Sequence, residues 1–159
     1  MLKLWSLTFD EIWMVSGNHD RRLIKKLNGQ VEIQDIMNMT VTDKVKATIR
    51  DRCQVQTSQG LYTVLHGSSY RKLSLSAANQ YAQKFQSHII SHHEHHAALG
   101  MDEYDRYIII NNGGLFDIEK LSYVQLETKT MTSMSQAFTM VRGGYPYLFG
   151  KWTDWSRWL

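Results

Sequence analysis

Cysteine and proline are almost missing from this sequence: Cys53 and Pro146 are the only ones in 159 residues. A lone cysteine forbids an internal disulfide and removes any argument for an oxidising compartment. Long apolar runs are missing too: none approaches the roughly 18 residues of a membrane span. Met1 to Phe9 is too short for a signal peptide and has no small-residue cleavage site. The cytoplasm is the default expectation. Charge of one sign is scarce, with a net charge of +3 and a pI near 9.0. Nucleic-acid-binding domains usually carry a concentrated basic stripe. Here the one cluster is Arg21-Arg22 with Lys25-Lys26, either a solvated helix face or cations beside a phosphate. What is present, 43% hydrophobic and 21% charged residues, describes a globular chain rather than a disordered one. Its length suits a single domain over 1–159 with a real core. No internal repeat, low-complexity tract or linker interrupts it.

Patterning predicts alternating elements. Glu11 to Ser16 reads as a buried strand, and Arg21 to Asn28 as a short helix stopped by Asn28-Gly29. Thr42 to Arg52 reads as a helix, with Thr42 as its cap and Val45 and Ile49 spaced by four. Cys53 to Gln56 and Leu61 to Leu65 flank a hairpin turn, Thr57-Ser58-Gln59-Gly60. Ser74 to Phe85 reads as a helix capped by serine, with Leu75, Ala78, Ala82 and Phe85 on one stripe. Strands are expected at 87–91, 105–111 and 120–128. The succession fits a layered α/β fold. An aromatic-rich extension closes the chain at about 141–159. There Trp152, Trp155 and Trp158 recur every three residues, as on one helical or turn face, for core packing or for anchoring a partner.

The chemistry-bearing residues follow the apolar runs. Gly17-Asn18-His19-Asp20 follows Ile12 to Val15, and His66-Gly67 follows Leu61 to Leu65. His92-His93-Glu94-His95-His96 follows Ile89-Ile90-Ser91, and Asn111-Asn112-Gly113-Gly114 follows Tyr107 to Ile110. An Asn carbonyl suits a hard cation, a His can donate a proton to a leaving group, and an Asp can fix a His ring. Polar residues at successive strand ends are how α/β enzymes assemble a site beyond a sheet edge. Each feature also has a plainer reading. His66 alone could be a strand-end histidine bonded to backbone, the histidine block an exposed tract that picks up metal adventitiously, and Asn111 to Gly114 an ordinary turn. His88 reads as a surface or packing residue.

In this order, from Ile12 to about Thr128, the residues resemble the calcineurin-like metallophosphoesterase family. Gly17 to Asp20, His66, His93-Glu94-His95 and Asn111 to Gly114 carry the resemblance. His92 stands where the family usually has glycine, so a frame with His92 or His96 as ligand stays open. The family's opening motifs, Asp-x-His and Gly-Asp-x-x-Asp, have no counterpart ahead of Gly17. The resemblance implies an α/β/β/α sandwich lacking its first strands, and a hydrolase acting on a phosphodiester or phosphomonoester. It implies one metal on Asn18, His66 and His93 with a bridging Asp, and a second on His95 with ligands this sequence does not contain. Such ions sit roughly 3.5–4 Å apart. Mn, Zn, Ni or Mg are the candidates. His19 becomes the proton donor, paired with Asp20 or another acceptor, and Arg21, Arg22 and Asn112 the residues nearest the phosphate.

Three functions compete. One is a phosphoesterase completed by an N-terminal piece or partner polypeptide; small family members point by analogy to prokaryotic or phage work on nucleic acid or nucleotides. Another is an inactive metallophosphoesterase-like remnant used as a binding module. The third is a small metal-binding protein with a histidine-rich loop. The first is favoured. A strand left without its neighbours predicts self-association or a partner, and no membrane.

Overall fold

The computed structural model describes residues 8–40, 46–68, 73–115 and 134–157. In chain order these form β1 (Glu11–Val15), α1 (Asn18–Lys26), α2 (Ile33–Thr40), β2 (Lys46–Arg50), β3 (Arg52–Thr57) and β4 (Gly60–Leu65). Then come α3 (Ser76–Phe85), β5 (His88–Ser91), β6 (Ala98–Met101), β7 (Ile108–Asn111), β8 (Ala137–Arg142), β9 (Tyr145–Gly150) and a 3₁₀ turn, Trp155–Arg157. The architecture is mixed α/β. The largest sheet runs β3-β4-β5-β7-β6, and β1-β2 and β8-β9 form two-stranded sheets. The chain divides into two compact units, Met1–Cys53 with Val64–Ser68, and Gln54–Thr63 with Ser69–Leu159.

In the second unit, β5 and β7 are parallel neighbours, built from the β-branched runs Ile89-Ile90 and Ile108-Ile109-Ile110. Strands buried on both faces read this way rather than alternating, and Ile89 and Ile110 are fully enclosed. Helix α3 packs on both strands through Ala77, Ala78 and Ala82, all buried. Their small side chains let the helix approach the sheet closely. Its first residue follows Leu75, held at φ 66°, with no side-chain cap, so Ser74 is not the cap the sequence suggested. Strand β6, antiparallel to β7, escaped prediction because Ala98-Leu99-Gly100-Met101 has no β-branched residue.

In the first unit β1 pairs with β2 in parallel. The expected buried strand is half-exposed instead: Ile12 is buried while Trp13 is 46% exposed. Helix α1 starts three residues earlier than predicted, because the Asp20 carboxylate accepts the Gly17 N–H at 2.7 Å and closes the first turn. It ends at Lys26, two residues before the expected Asn28, and the chain turns away through Asn28 (φ 51°) and Gly29 (φ 70°). The helix expected over Thr42 to Arg52 is overturned. Lys46–Arg50 is strand, and Thr42 to Val45 lie outside the described residues. A spacing of four satisfies a strand's period of two as well as a helix's 3.6, and the β-branched pair Thr48-Ile49 favours the strand. Helix α2 had no strong sequence signal; its start is closed by the Asp35 carboxylate, which accepts the Glu32 N–H at 2.9 Å.

The expected hairpin forms as β3 and β4, and the strands at 87–91 and 105–111 form as β5 and β7. The strand expected at 120–128 lies outside the described residues. The aromatic extension is largely a second hairpin. Gly143 (φ 58°) and Gly144 (φ 84°) turn β8 into β9, both with the positive φ such a two-residue turn requires. Of the described tryptophans, Trp152 lies in a turn and Trp155 in the 3₁₀ turn. Trp155 stacks on Phe149 at 5.4 Å and on Phe138 at 6.2 Å, Trp152 is 59% exposed, and Trp158 lies outside the described residues. Among the described residues no helix is long and apolar enough to cross a membrane.

Candidate metal and phosphate site

In the first unit, parallel pairing aligns Val15 with Arg50, so β1 and β2 deliver their carboxyl ends to one edge. The chain leaves β1 through Ser16 and Gly17 and enters α1 at Asn18. Beside it, Asp51 accepts the Ser16 hydroxyl at 3.2 Å and faces the Arg21 guanidinium at 3.8 Å. The Asp51 side chain is 87% exposed, so this ion pair contributes little to stability; it gives Arg21 a preferred direction.

His66 follows β4 and meets the same turn. Its Nδ1 donates to the Gly67 carbonyl at 2.9 Å, which fixes the tautomer and leaves Nε2 as the lone-pair nitrogen. That edge of the ring lies over Gly17. A methyl group on Gly17 would come within 2.8 Å of Cδ2 and 2.9 Å of Nε2. Any larger residue would have to displace the ring, so the glycine preceding Asn18 and the lone histidine after β4 are in close contact. A ligating histidine normally donates its other ring nitrogen to a carbonyl or carboxylate, and His66 has that arrangement. Asn18 and Asp20 are half-buried, while His19, Arg21 and Arg22 are exposed on the first two turns of α1. The Asp20 oxygen bonded to Gly17 serves the helix start.

In the second unit the parallel register sets Ser91 opposite Asn111. Because β7 lies between β5 and β6, residues 92–97 must leave β5, pass the carboxyl end of β7 and enter β6 on its far side. The histidine block therefore arches over Asn111. Ser91 Oγ donates to Asn111 Oδ1 at 2.5 Å, and Asn111 Nδ2 donates to the Glu94 carboxylate. Ser91, Glu94 and Asn111 are all buried. Asn112 is pinned as well: its N–H donates to the Ser91 carbonyl at 2.8 Å, its Nδ2 to His92 Nδ1 at 3.4 Å, and its Oδ1 accepts from Thr139. It is 8% exposed, the position of a clamp. Close packing continues at Gly113, where a methyl group would lie 2.1 Å from the Ser135 carbonyl oxygen.

His93, His95 and His96 are half-buried on the arch. His95 adopts φ 56°, a left-handed conformation uncommon outside glycine though more accessible to histidine than to most residues, and its carbonyl accepts the Ser135 N–H at 2.9 Å. The predicted residues thus fall into two sets: Asn18, His19, Asp20, Arg21, Arg22 and His66 in the first unit, and His93, His95 and Asn112 in the second. Among the described residues no three His, Cys, Asp or Glu side chains gather as a ready metal group. Sequence reasoning missed Asp51, Ser91, Glu94 and Asn111 as bonded members of these sets. A polar residue as the last position of an apolar strand, as at Ser91 and Asn111, was the available signal. No family model matches the chain, and no curated protein or solved structure matches it either.

Proposed function

We propose that this chain is a metal-dependent phosphoesterase of the calcineurin-like metallophosphoesterase type, with the layered sandwich that type implies. The observation that carries the reading is the packing of His66 against Gly17. Two motifs far apart in sequence meet, with the His66 ring edge against the turn that presents Asn18. Within the first unit Asn18 and His66 would be the donors to a divalent ion; within the second, His93 and His95 are the imidazoles available to one. Neutral imidazoles with one amide oxygen suit Mn, Zn or Ni better than Mg. A bound ion would polarise a phosphoryl oxygen and lower the pKa of a coordinated water. His19, exposed on the first turn of α1, would hold the proton for the leaving oxygen. Arg21 and Arg22, one and two positions past Asp20, would attract a phosphate together with the helix N-terminus. Carboxylates for a second ion would come from an N-terminal piece or another polypeptide.

The test is hydrolysis of bis-p-nitrophenyl phosphate by the purified chain with Mn²⁺, alone and with an added fragment carrying Asp-x-His and Gly-Asp-x-x-Asp motifs. Hydrolysis that depends on Mn²⁺ and on His66 supports the reading. No hydrolysis in either arm would leave the chain a metal-binding or interaction module.

A further inference from the structure

We infer that Glu94 is the positioning residue of the histidine arch, holding His93 and His95 in the directions a metal ion would require. What the arch serves rests on the metal-site reading above; that Glu94 anchors it does not.

The argument is one of topology and burial. Residues 92–97 cross the end of β7 with a change of sheet neighbour, so hydrogen bonding along a strand cannot order them. Four of the five residues from 92 to 96 are histidines, half-buried, and the one between them, Glu94, is 4% exposed. A carboxylate is rarely enclosed so far unless it is bonded. Here it accepts the Asn111 amide, whose oxygen is in turn held by Ser91. Asn111 is itself 1% exposed, at the end of a strand fixed between two neighbours. The side chain in the middle of the arch is therefore tied to its most rigid support. Immediately after it, His95 takes a left-handed conformation, and the adjoining carbonyl is bonded to Ser135. Backbone in that region persists only where the surroundings over-determine it. With Glu94 anchored inward, His93 and His95, its chain neighbours on either side, are directed by it. An apolar residue could fill the same space but could not accept the Asn111 amide, which would then be buried without its acceptor.

The experiment compares wild type, Glu94→Ala, Glu94→Gln and Asn111→Ala by hydrogen exchange of the full-length chain without metal, and by Mn²⁺ titration. Glu94→Ala should speed amide exchange across 92–96 by about tenfold or more while β5 stays protected. It should weaken Mn²⁺ binding by about 10–100-fold, as loss of a ligand's support does. Glu94→Gln, which keeps an accepting oxygen, should restore most of both. If Glu94→Ala lowers protection throughout, Asn111→Ala, which leaves Glu94 in place, should reproduce the local loosening. Unchanged exchange at 92–96 in both alanine variants would overturn the proposal. Absence of Mn²⁺ binding by wild type would sink the metal reading, and the exchange result would still decide the anchor.

Discussion

At the scale of single residues, the contact between Gly17 and the His66 ring is the constraint that bears on the proposed site. A methyl group there meets Cδ2 at 2.8 Å, closer than two carbons approach, so Gly17→Ala must push the imidazole away. Mn²⁺ affinity should fall by about 10–100-fold, with a smaller change in melting temperature than a core truncation gives. Affinity unchanged by calorimetric titration would show that the packing has no bearing on metal. His19 calls for the opposite pattern. It is exposed, and under the proposed function it holds a proton rather than a metal ion. In a completed enzyme His19→Gln should lower turnover by about 10²–10⁴ with metal content nearly intact. Equal loss of metal would make it a ligand. These residues were legible because each ends an apolar run. Glu94 was not, because its burial follows from the arch over β7 and from Asn111, neither of which sequence spacing reveals.

Elements were read best where one period was unambiguous. The isoleucine runs of β5 and β7 and the alanine stripe of α3 are of this kind. The strand Lys46–Arg50 was misread because a spacing of four fits both periods, and β6 because it is short and unbranched. The turn between β6 and β7 offers a test of what holds the sheet together there. Asp102, 3% exposed, accepts N–H bonds from Arg106 at 2.6 Å and Tyr107 at 2.7 Å, and the Gln83 amide at 2.6 Å. Burial pushes its carboxyl up, but those bonds, with a further one from the Tyr104 backbone, outweigh it and hold the group below the ordinary carboxylate range. A pKa depressed by folding gives stability that is present above the unfolded value, about 3.9, and lost as pH falls through the folded one. Asp102→Ala should therefore cost about 2 kcal/mol near neutrality. The gap between variant and wild-type melting temperatures should narrow below about pH 4. A gap independent of pH would mean that the side chain acts through packing rather than through its charge.

For the whole molecule, the expectation to test is that the chain self-associates or takes a partner. Among the described residues β1 pairs with β2 alone, and Trp13, Leu23, Met39, Tyr145, Trp152 and Trp155 are all more than 40% exposed. Single exposed apolar side chains are ordinary; an unpaired strand edge is the template on which another chain can pair. Light scattering should show self-association that grows with concentration, or a one-to-one complex with an added fragment carrying the carboxylate motifs; a monodisperse monomer indifferent to that fragment would refute it. The partition into two units was not visible in composition, since no linker-like stretch marks a boundary.

The central claim is that His66 and the turn before Asn18 form part of a metal site. Mn²⁺ titrated into the purified chain and into His66→Ala, followed by calorimetry, tests it most directly. The account predicts saturable binding by wild type and its loss, by about 100-fold or more, in the variant, since a first ligand is removed outright. Wild-type binding that survives His66→Ala unchanged would contradict it.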